Sequence, residues 1–239
     1  IDLESEPLNK LLQAHAYREL LYRQRVNEAA RAHLLAFATG ADLDHKAAFY
    51  GLTRLAGESD ERLRARVQLR IKSLAGNGTR EAYELTAMTA SQNVRDARAT
   101  QPFPGRVHLL LWCHDAAQAE ATLATVLAAI NADDGRPLGV PVTVALARAR
   151  AINITAAIER EAGAPADLAQ RLVVTLADAL AAYARLGRDV SRSWITARLH
   201  TAQVAAVRFP DPAAPAESTP LDDDEYPTLG VVHIEDVTK

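Results

Sequence analysis

The stretch YRELLYRQRVNEAARAHLLAFATGADLDHKAAFYG, from Tyr17 to Gly51, decides the fold of the amino-terminal part. It contains no proline and its first glycine is Gly40. We therefore predict one long helix from Pro7 to about Ala38, which Thr39-Gly40 ends, followed by a short helix that stops at Gly51. At roughly 1.5 Å per residue the long helix would measure about 48 Å.

The long helix has two apolar faces, which indicates two sets of neighbours. Its main stripe consists of Leu8, Leu11, Leu12, Tyr22, Val26, Ala29, Ala30, Leu34 and Phe37, and a second patch consists of Tyr17, Leu20 and Leu21. Glu19 and Arg23 are spaced i,i+4 within the main stripe, so they either neutralise each other there or form a solvated surface pair. We expect this helix to be poorly packed in the isolated chain and predict the second patch as interface.

A basic ridge is predicted on the helix that Ser59 caps. Arg62, Arg66 and Arg70 stand at i, i+4 and i+8 beside an apolar face. Because three guanidiniums at this spacing repel one another, we expect an acidic counterpart, either in this chain or in a neighbouring subunit. The alternative is a solvated face. We favour an interface role for the ridge, and a nucleic-acid role is disfavoured because no aromatic residues are interleaved with the arginines.

The apolar period changes from helical to alternating after Ser91, which indicates a domain boundary. We predict an α+β fold with a helical domain at 1–90, a first α/β unit at 91–150 and a second α/β unit at 151–239. The first unit reads β-β-α-β. The second contains a helix from Pro165 to Leu186, whose apolar residues are Leu168, Leu172, Leu176, Leu180 and Tyr183. A Pro-rich acidic loop at 210–228 follows before a closing strand from Leu229 to Ile234.

Composition excludes several classes of protein. The 239 residues are 49% hydrophobic, yet no apolar run approaches the roughly 20 residues of a membrane-spanning helix. The formal net charge of -3 gives no general attraction to nucleic acid. The single cysteine, Cys113, forbids an intrachain disulfide and agrees with a reducing cytoplasm. Since the chain opens at Ile1 with no initiator methionine or secretory leader, we expect a soluble fragment or processed chain.

Cys113-His114-Asp115, with His108 nearby, is the one place where catalytic residue types crowd together. Successive side chains of a strand point to opposite faces, so Cys113 and His114 cannot share a site unless the strand ends between them. A nucleophile also needs its base within hydrogen-bond reach. We predict a buried cysteine beside a strand-end histidine and no catalytic residue.

Two further stretches could hold a ligand. Gly76-Asn77-Gly78-Thr79 lacks the Lys-Ser/Thr ending of a phosphate-binding loop, so we predict a turn between helices, the second of which starts at Thr79 and runs to about Ala90. The acidic run from Asp222 to Glu225 lacks the spaced ligands and glycine of a calcium loop. We therefore predict no metal, no cofactor and no enzymatic activity.

Four blocks of the chain resemble, in their order and in their residues, the baseplate J family of contractile-tailed phages and related injection machines. They are Tyr17–Gly51, Glu58–Ile71 (ESDERLRARVQLRI), Val94–Leu111 (VRDARATQPFPGRVHLLL) and Arg136–Val144 (RPLGVPVTV). The resemblance implies a structural wedge subunit that forms the ring around the central hub and transmits the trigger for sheath contraction through subunit contacts.

The resemblance also implies partners and a location. The partners would be other copies of the chain, a second wedge protein similar to tail protein I, and other baseplate, hub and sheath subunits, with no nucleic acid and no membrane span. The location would be the baseplate of a virion or injection particle, assembled in the bacterial cytoplasm. Two alternatives stay open, a small-molecule enzyme that uses the second α/β unit and a helical-bundle adaptor.

Overall fold

The computed structural model describes residues 6–74, 76, 78–132 and 135–237. The chain forms two compact units, Ile1–Leu74 and Ala75–Lys239. Within the described residues, the first unit contains three α-helices, and the second contains four α-helices and eight strands in small sheets. The predicted α+β class with a helical amino-terminal part is confirmed.

The helices of the first unit are α1 (Pro7–Ala32), α2 (Gly40–Phe49) and α3 (Asp60–Ser73). The prediction that the first helix continues to about Ala38 is wrong, because the backbone folds into tight turns after Ala32. The Arg64 guanidinium holds these turns by donating to the carbonyl oxygens of Leu35 and Ala38 at 2.9 and 2.8 Å. Thr39-Gly40 consequently starts α2 and does not end α1.

Side-chain caps start two helices where the sequence predicts them. The Ser59 hydroxyl accepts the N–H of Arg62 at 3.3 Å at the start of α3. The Thr79 hydroxyl accepts the N–H of Ala82 at 3.2 Å at the start of α4 (Arg80–Ala90). Each bond satisfies one of the N–H groups that the first turn of a helix leaves unpaired. Because α4 belongs to the second unit, the predicted helical part at 1–90 combines the first unit with this one helix.

The first sheet contains β1 (Val94–Phe103), β2 (Arg106–Cys113) and β3 (Val142–Leu146). Strands β1 and β2 form an antiparallel hairpin, and α5 (Ala119–Asn131), preceded by a 3-10 turn at Ala116–Gln118, connects β2 to the parallel strand β3. Helix α4 packs against β1 and α5. This order is the β-β-α-β pattern predicted for the segment.

The remaining elements are β4 (Arg148–Arg160), α6 (Leu168–Tyr183), β5 (Val190–Ser191), α7 (Arg192–Leu199), β6 (Val204–Arg208), β7 (Ser218–Thr219) and β8 (Glu225–Asp236). Strand β4 is central in the second sheet, antiparallel to β6 and parallel to β8. Residues 225–228, predicted as the end of the acidic loop, are strand residues of β8. The Pro227 that suggested a loop is tolerated because β8 lies at the sheet edge, where a missing N–H need not break a ladder.

The core of the second sheet is built from α6. Its Leu168, Leu172, Leu176 and Leu180 recur every fourth residue and are all buried. They belong to one apolar cluster with the buried side chains Ile152, Ile154, Ala156, Ile158, Val190, Ile195, Leu199 and Val204. The apolar face predicted for this helix is therefore the one that the structure buries.

A smaller cluster joins the two sheets inside the second unit. Leu110 and Trp112 of β2 pack with Ala184 and Leu186, which follow α6. The Trp112 ring stacks on the Tyr226 ring of β8, with centroids 4.3 Å apart. The segments 91–150 and 151–239, predicted as separate α/β units, thus both lie in the second compact unit and share apolar contacts.

Candidate subunit interface

Helix α1 buries none of its 26 residues. Eight of its large apolar side chains are between 44% and 67% exposed: Leu8, Leu11, Leu12, Tyr17, Leu20, Leu21, Tyr22 and Val26. A surface helix of a globular protein usually turns its apolar stripe toward its own core, and larger exposed apolar patches mark interaction sites. The poor packing predicted for the long helix is therefore confirmed for α1.

The predicted interface residues of α1 are available for contact. Tyr17, Leu20 and Leu21 lie at i, i+3 and i+4, so they share one side of the helix, and their exposed fractions are 62%, 60% and 44%. Their contact with a partner stays a prediction. The ion pair between Glu19 and Arg23 is solvated, since the two side chains are 61% and 76% exposed, so the surface-pair alternative is the one found.

Charge along α1 is predominantly basic. Lys10, Arg18, Arg23, Arg25 and Arg31 stand against only Glu19 and Glu28 in a chain whose formal net charge is -3. These charged side chains also make α1 unlike a membrane-spanning helix. In the part of the chain that the structure describes, no helix combines the length and the apolar character needed to cross a bilayer.

A groove of about 930 Å³ lies beside the carboxyl-terminal half of α1. Its lining includes Arg25 and Arg31 of α1, Phe37 of the following turns, and Lys46 and Phe49 of α2. Phe49 is 84% exposed and Phe37 is 52% exposed, and the Arg31 guanidinium lies 5.0 Å from the Phe37 ring centroid. The groove therefore continues the exposed apolar and basic surface of α1 within the first unit.

The arginines of α3 do not form the predicted surface ridge. Arg66 is 1% exposed, and its Nη1 lies 2.7 Å from Glu58 Oε2. Arg62 Nη1 lies 2.7 Å from the other Glu58 oxygen, and Arg70 Nε donates to the carbonyl oxygen of Tyr50 at 3.2 Å. Arg66 is buried and adds no surface to the ridge, and the expected acidic counterpart is Glu58 of this chain, one of the two possibilities that the sequence left open. A contribution of the three arginines to a subunit interface stays a prediction, which the burial of Arg66 disfavours.

Glu58 is the residue that sequence reasoning missed. Its side chain is fully buried, and besides the two guanidiniums its carboxylate accepts the N–H of Leu55 at 3.0 Å. Burial lowers the pKa of Arg66, and the charge of Glu58 opposes this effect. A signal was present in the sequence, because Glu58 stands four residues before Arg62 and eight before Arg66. This ion network fixes the connection between α2 and α3.

A second ion pair set strengthens the same connection. The Arg54 guanidinium lies 2.7 Å from Asp44 of α2 and 2.7 Å from Asp60 of α3. The hydrogen bonds to Asp44 and Asp60 raise the pKa of Arg54, and the N–H of Gly40 and Arg54 together lower the pKa of Asp60. Charged contacts between α2 and α3 thus add to the buried apolar side chains Leu43, Leu63 and Val67 in holding the first unit, and α1 contributes no buried side chain.

The catalytic candidates have structural roles. The Asp115 carboxylate accepts the N–H of Ala117 at 2.9 Å and an amide proton of Gln118 at 3.0 Å, so it caps the 3-10 turn. Burial raises the pKa of the Cys113 thiol. A nucleophilic cysteine shows the opposite shift, because the thiolate is the reactive form. His114 is exposed at the end of β2, and His108 is half-buried within that strand.

The ligand candidates are likewise engaged within the chain. Asp223 pairs with Arg98 at 2.6 Å, and Asp224 pairs with Arg148 at 2.8 Å. Across residues 6–74, 76, 78–132 and 135–237, no group of three or more His, Cys, Asp or Glu side chains is placed to hold a metal ion. In the predicted turn at 76–79, Asn77 lies outside the described residues, whereas Thr79 is the N-cap of α4.

Two half-buried acidic residues of the second unit had no sequence signal. Burial raises the pKa of Glu84 on α4 to about 7, and the Glu84 carboxylate accepts the N–H of Ala99 on β1 at 3.2 Å. Burial also raises the pKa of Asp96, whose carboxylate accepts the N–H of Leu186 at 2.9 Å. These bonds tie α4 to β1 and β1 to the segment after α6, so both acids serve the fold of the second unit.

Comparison with known proteins identifies the family. Residues 4–59, which include α1 and α2, match the family model of the Baseplate J-like N-terminal domain. The chain is also 37% identical over 232 residues to baseplate protein J of Escherichia phage P2, with 90% of this chain and 77% of that protein covered. The protein therefore belongs to the baseplate J family, whose members are structural proteins of the phage baseplate and not enzymes.

Proposed function

We propose that the chain is a wedge subunit of a contractile tail baseplate or of a related injection system, where it forms part of the ring around the central hub. It would act in the baseplate of the particle, after assembly in the bacterial cytoplasm. The observation that carries this proposal is α1, a 26-residue helix that buries none of its residues and exposes eight large apolar side chains. Such a helix is suited to packing against helices of neighbouring subunits.

The apolar surface of α1 is large enough to support association. Complete burial of a large apolar side chain contributes roughly 1.5–3 kcal/mol, so covering eight side chains that are about half exposed would contribute about 6–12 kcal/mol. Association costs an estimated 4–15 kcal/mol in lost translational and rotational freedom. The two quantities are comparable, so α1 supplies a major share of an interface that other contacts would complete.

The partners we propose for α1 are another copy of the chain and a second wedge protein similar to tail protein I. Helices of these partners would cover Tyr17, Leu20 and Leu21 on one side of α1 and the main stripe on another. The basic excess of α1 favours acidic partner surfaces, and electrostatic attraction of this kind speeds encounter and selects partners. Other baseplate, hub and sheath subunits would contact the rest of the chain.

The trigger for sheath contraction would pass through these contacts. Switching assemblies change by rigid-body movement of packed parts between two discrete arrangements. The charged contacts of Glu58 and Arg54 hold α2 and α3 together, so α2 and α3 would move as one body when their neighbours rearrange. We propose that the chain transmits the trigger in this way, with subunit contacts and no active site.

The experiment compares two exposed apolar residues on two helices. Leu20 of α1 is 60% exposed and Val174 of α6 is 54% exposed. Leu20→Glu should leave folding unchanged and abolish co-purification with the co-expressed tail protein I and the formation of complete tails in electron micrographs. Val174→Glu, the matched control, should leave both intact. Normal tails built with Leu20→Glu would refute the proposed role of α1.

A further inference from the structure

A row of four side chains, with two aromatic rings between two arginines, lies on α6, α7 and the segment between them. The Arg188 guanidinium lies 4.2 Å from the Tyr183 ring centroid, the Tyr183 and Trp194 ring centroids are 4.6 Å apart, and the Arg198 guanidinium lies 5.5 Å from the Trp194 centroid. We call these four residues the arginine–aromatic ladder. Both arginines are exposed, and both rings are half-buried.

The rings of the ladder are held in place by the core. Tyr183 and Trp194 both pack against the apolar cluster beneath α6, and the Tyr183 hydroxyl donates to the carbonyl oxygen of Asp189 at 3.2 Å. Arg188 donates to the carbonyl oxygen of Tyr183 at 2.9 Å. A surface whose side chains are already ordered loses little conformational entropy on binding, so it suits recognition.

The two guanidiniums of the ladder have no carboxylate partner in an ion pair anywhere in the described residues. Of the other exposed arginines of the second unit, Arg171 and Arg208 have such a partner, whereas Arg106, Arg150 and Arg185 have none among the described residues. Arg171 pairs with Asp167 at 2.8 Å, and Arg208 pairs with Glu159 at 2.6 Å. Arg198 lies in the last turn of α7, where the negative end of the helix offsets part of its charge. The ladder nevertheless presents two cations that lack an anion.

The chemistry of the missing partner follows from which groups are still available. Each ring already contacts one guanidinium and the other ring through its π surface, so little aromatic face is left on which a nucleobase could stack. A guanidinium lying on a ring keeps N–H groups at its edge, and these match a carboxylate in paired hydrogen bonds. Trp, Tyr and Arg are also the residues that most often dominate protein interfaces.

We infer that the ladder is a docking surface for an acidic segment of a different protein chain, whose carboxylates pair with Arg188 and Arg198. The three contacts of the ladder limit the separation of its guanidiniums to about 14 Å. An extended segment advances about 3.3 Å per residue, so about four residues are enough to reach from one guanidinium to the other. The inference is independent of α1, because the ladder belongs to the second unit and uses other chemistry.

The test uses the full chain and a fluorescent tetraglutamate peptide, with tetraglutamine as the neutral control. Fluorescence anisotropy should report binding of the acidic peptide that weakens as salt rises. The double variant Arg188→Gln with Arg198→Gln should weaken binding about tenfold or more, as expected for the removal of central interface arginines. The matched control, Arg171→Gln with Arg208→Gln, removes the same charge and should bind as the parent chain does.

A second variant separates the shape of the guanidinium from its charge. Arg188→Lys with Arg198→Lys keeps both charges but loses the planar donors, so it should bind between the parent chain and the glutamine variant. Equal weakening in the ladder and control variants, or no binding at millimolar peptide, would overturn the inference. Tighter binding of an oligothymidylate would also overturn it, because nucleic acid would then be the occupant. A dimer that sedimentation shows to depend on the ladder would overturn it as well, because the occupant would then be a second copy of this chain. None of these results bears on Leu20→Glu, so this inference and the proposed function can fail separately.

Discussion

Helices α1 and α6 carry similar numbers of leucines, five and four, but these leucines have opposite surroundings. Helix α6 places Leu168, Leu172, Leu176 and Leu180 in a single buried row over its own sheet. Helix α1 carries five leucines, all at least 44% exposed, and buries nothing. An apolar pattern therefore shows that a helix is built to be covered, but it does not show whether the cover comes from the same chain. We propose that in this family member the cover for α1 comes from other subunits.

The largest effect on stability is expected in the ion network of Glu58, to which α1 does not contribute. Glu58→Gln removes the carboxylate that neutralises Arg62 and the buried Arg66. Because removing one partner of a buried ion pair leaves an uncompensated charge, we expect the free energy of unfolding to fall by about 3–5 kcal/mol. Urea unfolding followed by circular dichroism measures this change. A loss below about 1 kcal/mol, the range of an exposed ion pair, would show that the network does not hold α2 and α3.

Truncation of one leucine on each helix tests the comparison directly. Leu176 of α6 is 1% exposed, and Leu20 of α1 is 60% exposed. Leu176→Ala should lower the free energy of unfolding by about 2–5 kcal/mol, since it leaves a cavity in the core. Leu20→Ala should change it by no more than about 0.5 kcal/mol, the usual range of surface changes. Similar losses in the two variants, measured by the same urea titration, would mean that α1 packs within its own chain.

Glu84 predicts a pH dependence confined to the second unit. Its folded pKa of about 7 is raised by burial, so the folded chain binds a proton more tightly there than the unfolded chain does. Stability should therefore fall as pH rises from about 5 to about 7, with a slope of at most about 1.4 kcal/mol per pH unit for this one proton. Glu84→Gln should flatten this part of the stability profile. An unchanged slope in the variant would assign the titration to another group.

The smallest effect is expected at Cys113. Its thiol is half-buried and its pKa is raised, so it is unsuited to nucleophilic chemistry. Cys113→Ala should change the free energy of unfolding by about 1 kcal/mol or less and leave tail assembly and infectivity unchanged. Loss of infectivity in a variant that still folds would contradict a purely structural role.

Local signals predicted much of the fold. Ser59 and Thr79 cap α3 and α4 as expected, because a capping hydroxyl bonds within three residues of itself. The apolar face of α6 was also predicted correctly from its row of leucines, since a strict four-residue spacing defines one face of a helix. Both features depend on neighbours in the sequence, so the sequence alone was sufficient to predict them.

The errors share a different cause, which is contact between distant residues. Helix α1 ends early because Arg64 binds the carbonyl oxygens of Leu35 and Ala38, some 29 and 26 residues away. Strand β8 begins before Pro227 because it pairs along the whole of β4. Arg66 is the exception, because its partner Glu58 stands only eight residues away in the sequence. The two apolar faces of α1 could be predicted from the sequence, whereas the ladder depends on contacts between α6, α7 and the segment between them, which only the structure shows.

Hydrogen exchange of α1 tests the central claim most directly. It should be measured for the monomer, confirmed by sedimentation, and for the chain co-assembled with its wedge partner, with α6 as the internal reference. The account predicts weak protection of the α1 amides in the monomer, a clear rise in protection on assembly, and strong protection of the α6 amides in both states. Strong protection of α1 in the monomer, or no rise on assembly, would contradict the claim that α1 is a subunit interface.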